Sequence, residues 1–226
     1  MSVTDLATAP FRWGSAIRHA RVFHPDGLLV EGSIERSAPA DAGLPIPSCD
    51  VVARLSKAVG TPGAWPDIIG LAMRIPPQSE DDAAWDILLA SAGSGVLSRA
   101  VGLRPVTSWT GHTLTSLMPL RYRGGNWWLR ARLTTEINGS GVSLNSVRNQ
   151  LKNGTIEVTL DQARGTSAFD KLARLTLHGL LVAPHGGDVS FDPVLHTAPG
   201  VELYPGWLAG LRASAYDRSR DGRDAD

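Results

Sequence analysis

The chain has 226 residues, of which 42% are hydrophobic, and this length and composition suit one packed domain. The 22 Lys and Arg residues balance 22 Asp and Glu residues, so the chain lacks the basic excess typical of proteins that bind nucleic acid or anionic membranes. Cys49 is the only cysteine, the N-terminus has no secretory signal pattern, and no apolar run approaches the roughly 20 residues of a membrane-spanning helix. We therefore expect a cytoplasmic protein, not bound to membranes, with a small-molecule partner.

Short stretches rich in Val, Ile, Leu and Trp alternate with Gly, Pro and Asp along most of the chain, and this pattern predicts strands. The predicted strands cover residues 27–36, 51–56, 68–74, 85–91, 117–122, 127–134, 155–160 and 173–182. Eight strands are enough to close a barrel. The two glycines within residues 122–126 predict a tight hairpin between the two strands on either side of them.

Two connecting segments favour helices instead. Residues 143–153 and 166–172 have helix-compatible spacing, and each begins with a Ser or Thr that can cap a first turn. Neither is long enough to form a second domain. We expect one mainly β domain of the α+β class over residues 1–226, with loosely ordered ends at 1–15 and 218–226.

The last predicted element is a helix over residues 203–216. Pro205 suits the first turn of a helix, and the apolar residues that follow it recur on one helical face. Arg212 and Tyr216 are then separated by one helical turn.

Four stretches of the chain match a known pattern in residue type and order. The first contains Arg21, His24, Gly27, Gly32 and Glu35. His19 has a similar local setting, but choosing it would put the later Gly and Glu out of register, so His24 fits better. The other stretches are Arg54-Leu-Ser56 with residues 66–74, then Trp85-Asp86 with Ala90-Ser91, and finally Phe191-Asp192-Pro193 with Pro199-Gly200 and Arg212-x-x-x-Tyr216.

Together, these stretches resemble the haem-binding core of the catalase family, and they span residues 21–223. The resemblance implies an antiparallel, eight-stranded catalase-type β-barrel with connecting helices. It also implies a C-terminal helix that supplies the protein ligand of a haem b group with ferric iron.

The resemblance assigns roles to individual residues. Tyr216 would bind the iron, and Arg212 would favour its phenolate form, because a nearby cation lowers the pKa of a phenol. His24 would act as the base that takes a proton from a peroxide, with Ser56 orienting its ring.

The haem propionates need cationic partners, and the resemblance offers three arginines. Arg21, Arg54 and Arg223 would serve, since a guanidinium group makes paired hydrogen bonds to a carboxylate. Arg220 is the alternative to Arg223.

The chain departs from the catalase pattern at Ala90 and Ser91. The family has an asparagine pair there, and one amide helps to position peroxide. The phenylalanines expected just afterwards are also absent, because residues 93–97 are Gly-Ser-Gly-Val-Leu. These changes predict a roomier pocket and weaker dismutation of hydrogen peroxide.

The favoured function is therefore a haem oxidoreductase that uses hydrogen peroxide or an organic hydroperoxide to oxidise a small organic substrate, peroxidase-like rather than an efficient catalase. The first alternative is a haem isomerase or dehydratase of the allene oxide synthase type, which needs no outside reductant. A haem sensor or carrier without turnover, and a barrel that has lost haem, are further alternatives. A homodimer is left open.

Overall fold

The computed structural model describes residues 26–93, 95, 102–181 and 189–204. The elements in these ranges are β1 (Asp26–Arg36), β2 (Cys49–Lys57), β3 (Ile69–Ile75), β4 (Trp85–Ser91), β5 (Leu114–Thr115), β6 (Leu120–Tyr122), β7 (Gly125–Leu133), α1 (Leu144–Asn153), β8 (Ile156–Arg164), β9 (Asp170–Leu180) and β10 (Glu202–Leu203). No helix among the described residues is long and apolar enough to cross a membrane.

Eight antiparallel strands close into a barrel, as the sequence predicts. The order around the ring is β7, β5, β4, β3, β2, β1, β9 and β8, and β8 pairs again with β7. The predicted strand at 117–122 is shorter than expected and lies outside this ring. It is β6, which pairs with β7 and β10. The eighth strand of the ring is instead β5, which has two residues.

The barrel interior is filled by aliphatic side chains that alternate with outward-facing residues. In β1, Leu28, Val30 and Ile34 are buried, whereas Glu31 and Glu35 are exposed. Side chains from the other strands of the ring join them in one hydrophobic core. This period of two is what a strand with one buried face requires.

Gly32 lies where β1 changes register against β9. A Cβ atom at this position would lie 2.9 Å from the backbone oxygen of Thr176 on β9. The close approach of the two strands therefore requires glycine here. Gly32 is one of the residues that carry the family resemblance, and strand packing explains why this position is glycine.

The hairpin predicted at residues 122–126 is confirmed. Tyr122 on β6 pairs with Gly125 on β7, so Arg123 and Gly124 form a two-residue turn. Both residues have positive φ, at 46° and 70°. This is the type I′ geometry, whose twist matches that of the two strands.

The helix predicted at 143–153 is also confirmed, as α1. The Ser143 side chain accepts a hydrogen bond from the Asn145 backbone N–H, and Val147 and Leu151 are buried. The helix predicted at 166–172 is wrong. These residues form a turn and the start of β9, because Asp170 pairs with Gln162 on β8 and the strand ladder is favoured over a single capped turn.

Residues 189–204 return to the barrel and end in β10. Glu202 and Leu203 pair with Arg121 and Leu120 of β6. The helix predicted over residues 203–216 begins at a residue that belongs to β10. The rest of that prediction, beyond residue 204, lies outside the described residues.

Candidate functional site

The predicted site residues divide into two groups. Arg54 and Ser56 lie on β2 and are described. The others lie outside the described residues, and they are Arg21, His24, Arg212, Tyr216 and Arg223. The structure therefore locates the surface to which Arg54 and Ser56 belong, and the roles given to the other five residues stay predictions.

Ser56 belongs to a line of small residues that crosses five adjacent strands. Consecutive members are direct cross-strand partners, and they are Gly27, Ser56, Gly70, Ala90 and Thr115. We call this set the small-residue row. Paired residues in antiparallel strands project to the same side of the sheet. Their sequence neighbours Leu28, Leu55, Leu71, Leu89 and Leu114 belong to the core, so the row faces outward.

The small-residue row faces outward, and three of its five members are buried, whereas Gly27 and Ala90 are partly exposed. Ser56 is 4% exposed, Thr115 is fully buried, and Gly70 is buried between them. On the same outer face, Glu31 and Asp50 are exposed farther along β1 and β2. The row is thus a sheltered strip of sheet with almost no side-chain bulk.

Arg54 lies at one end of the row. Its side chain passes over Gly27, because a Cβ atom at Gly27 would lie 2.6 Å from Arg54 Nε. Gly27 is the direct partner of Ser56, so the guanidinium group reaches the β1 end of the row. Glycine at position 27, another residue of the family resemblance, gives Arg54 this path.

The other end of the row contacts an ion pair. Thr115 pairs with Arg130 on β7, which pairs with Asp161 on β8. The Nε and Nη2 atoms of Arg130 donate to Asp161 Oδ2 over 3.0 and 2.7 Å. The guanidinium group also lies 4.2 Å from the centre of the Phe169 ring. This cation is therefore already held by contacts within the barrel wall.

Thr115 carries an unusual polar atom. Its Oγ1 is buried and has no hydrogen-bond partner in the part of the chain that the structure describes. Leaving a buried hydroxyl without a partner costs about 1–3 kcal/mol. Thr115 is not predicted as a site residue from the sequence, since a two-residue strand leaves no periodic signal and a threonine in a polar stretch is an ordinary surface residue.

A second polar cluster joins β3 and β4 to residues 189–204. Asp86 forms two hydrogen bonds to Arg74, both 2.7 Å long, and it also contacts His196 Nδ1 at 2.8 Å. Its Oδ2 accepts the backbone N–H of Asp192 over 2.8 Å. The hydrogen bonds that the Arg74 guanidinium group donates to the Asp86 carboxylate raise the pKa of Arg74. We call Arg74, Asp86, Asp192 and His196 the Asp86 cluster.

The Asp86 cluster gives a physical reason for several residues of the family resemblance. In the sequence, Arg74, Asp86 and Asp192 are only matching residues of separate stretches. In the structure they are neighbours, although Asp86 and Asp192 are 106 positions apart. The cluster fixes the segment that precedes the predicted helix of Tyr216.

Asp67 shapes the loop between Ser56 and Gly70. Burial alone would raise the pKa of its carboxyl group, but hydrogen bonds from the backbone N–H groups of Val59, Thr61 and Ile68 and from the Thr61 hydroxyl lower it. A charged, fully hydrogen-bonded Asp67 therefore stabilises the connection between two strands of the row.

The described residues fit a flat, largely apolar cofactor with acidic substituents. The row supplies a surface without bulky side chains, Arg54 supplies a cation at its edge, and Thr115 supplies an unused hydroxyl. Among the described residues no group of three or more His, Cys, Asp or Glu side chains is arranged to hold a metal ion.

Comparison with known proteins adds no family assignment. No protein-family model matches the chain, and no curated protein is significantly similar to it.

Proposed function

We propose that the chain binds haem b over the small-residue row and acts on hydrogen peroxide or an organic hydroperoxide, with a peroxidase-like activity. The observation that carries this proposal is the row itself. It is a sheltered outer strip that contains Ser56 and is bordered by Arg54, two residues selected from the sequence for a haem site.

The positions of the other predicted site residues along the chain support the same site. β1 reaches the row at Gly27, three positions after His24 and six after Arg21. The Asp86 cluster holds residues 189–204, and Tyr216 follows twelve positions after the end of that segment. The segment with Arg21 and His24 therefore joins the barrel at the β1 end of the row, and the segment with Arg212, Tyr216 and Arg223 follows β10, which pairs with β6.

Each residue has a defined task in this proposal. Tyr216 supplies a phenolate oxygen to the iron, and Arg212 favours that charge state. Arg21, Arg54 and Arg223 bind the propionates. An imidazole nitrogen of His24 takes a proton from the peroxide and returns it to the departing oxygen, while the Ser56 hydroxyl fixes the orientation of the ring. Bound ferric haem supplies the redox chemistry with the peroxide.

The residues of the row distinguish this site from one built for dismutation. Position 90 is Ala, so the middle of the row presents a methyl group and no hydrogen-bond donor. This leaves space for the carbon chain of an organic hydroperoxide. The same space favours a second function, isomerisation or dehydration of the hydroperoxide without an outside reductant.

The first experiment is to express the full chain with haem supplied and to record its absorption spectrum. The proposal predicts a ferric Soret band that is lost or markedly shifted in Tyr216→Phe. Tyr204→Phe is the matched control, because Tyr204 is an exposed tyrosine that contacts Arg121 on the barrel surface. An unchanged spectrum in Tyr216→Phe would refute the ligand assignment.

Product analysis then separates the two functions. A peroxidase consumes a reducing co-substrate in proportion to the hydroperoxide. An isomerase or dehydratase converts the hydroperoxide at the same rate when that reductant is left out.

A further inference from the structure

We infer that the Thr115 hydroxyl donates a hydrogen bond to an oxygen atom of the hydroperoxide substrate that binds beside haem at the small-residue row. This inference rests on the proposed haem site and names a further residue within it. It makes Thr115 a substrate-positioning residue and selects ligands with an acceptor atom, such as the oxygen of a hydroperoxide.

The Thr115 hydroxyl is buried and unused among the described residues. Thr115 Oγ1 is fully buried and has no hydrogen-bond partner among the residues that the structure describes. The main chain on both sides of Thr115 is engaged by the pairing with Ala90 on β4 and Arg130 on β7. Most buried polar atoms in proteins find a partner, and exceptions commonly mark functional positions.

The neighbouring residue shows that this arrangement is specific to one hydroxyl. Ser116 is also buried, but its Oγ donates to the carbonyl oxygen of Met118 over 2.7 Å. The Ser116 Oγ also accepts the backbone N–H of Leu129. Two adjacent hydroxyls therefore differ, since one is used within the fold and the other is not.

Thr115 is the direct partner of Ala90, so its hydroxyl lies on the outer side of the sheet with the small-residue row. Three strand spacings separate it from Ser56, which is about 14 Å. Between them lie only Gly70 and Ala90, so no bulky side chain of the row separates Thr115 from the part of the site that contains Ser56.

The surroundings of Thr115 determine which ligand atom its hydroxyl can bind. Arg130, the next residue beyond Thr115, is already bound to Asp161 and covered by Phe169. A threonine hydroxyl has one donor hydrogen and two acceptor lone pairs, and its donor hydrogen is satisfied only by an acceptor atom. The hydroperoxide therefore places an oxygen atom at the β5 end of the row, and the small residues Gly70 and Ala90 leave space for its carbon chain.

The test compares three variants of the full-length protein: Thr115→Val, Thr115→Ser and Ser116→Ala. Thr115→Val replaces the hydroxyl by a methyl group of similar size, Thr115→Ser keeps the hydroxyl and removes the methyl group, and Ser116→Ala removes the neighbouring hydroxyl that the fold uses. The probe is fluoride, a small acceptor that binds ferric haem, titrated by absorption. We expect Thr115→Val to raise the Kd for fluoride about tenfold, as expected for one lost hydrogen bond to a charged acceptor. Thr115→Ser and Ser116→Ala should stay within about threefold.

A second readout does not depend on haem. In the haem-free protein, Thr115→Val should raise the unfolding midpoint because it removes a buried hydroxyl that has no partner, whereas Ser116→Ala should lower it. A lower midpoint in Thr115→Val would show that the hydroxyl is used within the fold and would overturn the inference.

The outcomes distinguish this inference from the proposed function. A normal Soret band with an unchanged fluoride Kd in Thr115→Val would overturn the role of Thr115 and leave the haem site standing. A wild-type protein without any Soret band would overturn both.

Discussion

The Asp86 cluster and the small-residue row are two buried polar regions of the same barrel wall, and they differ in how their polar atoms are used. In the Asp86 cluster, both carboxylate oxygens accept hydrogen bonds from Arg74 on β3, and Oδ2 also contacts residues 189–204. In the row, Thr115 Oγ1 has no partner within the described part of the chain. A satisfied network stabilises a fold, whereas an unsatisfied group in a sheltered strip suits a ligand. The comparison separates a structural anchor from a candidate binding surface.

The largest stability effect is expected at the anchor. Asp86→Ala leaves Arg74 and His196 without their carboxylate, and we expect it to lower the free energy of unfolding by about 2–4 kcal/mol. Urea denaturation measures this loss. Asp81→Ala, at an exposed turn position, is the control and should change stability by less than about 0.5 kcal/mol. A loss of under about 1 kcal/mol in Asp86→Ala would mean that the cluster is not an anchor.

Substitutions at two glycines of β1 are expected to lower stability less than Asp86→Ala. At Gly32 an added methyl meets the backbone of Thr176, which cannot move alone, so Gly32→Ala should cost about 1–3 kcal/mol. At Gly27 the added methyl meets the flexible end of Arg54, so Gly27→Ala should cost under about 1 kcal/mol. Displacing Arg54 should instead weaken haem uptake in Gly27→Ala.

Urea denaturation and haem titration of both glycine variants measure these effects. Equal losses of stability with unchanged haem affinity would show that Gly27 serves packing alone. In that case the path of Arg54 across β1 would have no part in the site.

The smallest effect depends on pH and concerns the loop between Ser56 and Gly70. The pKa of Asp67 is lowered in the folded protein, so its charged form stabilises the fold above its ordinary pKa near 3.8. This contribution is lost as the pH falls through the lowered folded value. Asp67→Asn should therefore be less stable than wild type at pH 7, and the difference should shrink in acid below about pH 4. A stability difference that is the same at pH 7 and pH 3 would contradict this account.

The sequence predicts the repeating parts of the fold well. Alternating apolar residues in β1 to β4 and the two-glycine turn before β7 are local signals, and they place the barrel strands and the hairpin. Local sequence patterns do not predict elements whose structure depends on pairing with strands distant in sequence. Residues 166–172 have helical spacing but join the β8 and β9 ladder, and β5 is too short for a period to be visible.

The candidate site is only partly predictable for the same reason. Ser56 and Arg54 were selected by resemblance, but their common outer face follows from the strand register. Thr115 enters the row only because β5 pairs with β4, which no spacing in the sequence reveals. The Asp86 cluster joins residues more than 100 positions apart, so its contacts required the folded topology.

If haem binds over the small-residue row, a large side chain in the middle of the row must block its uptake. Ala90→Phe places a ring at the middle of the row, whereas Ser33→Phe places the same ring on the outer face of β1, about 20 Å from Gly27 along the strand. Haem titrated into each purified protein and followed at the Soret band reports uptake. We predict that wild type and Ser33→Phe take up haem with the same affinity and that Ala90→Phe loses uptake by at least tenfold. Equal uptake by Ala90→Phe and wild type would contradict the proposed site.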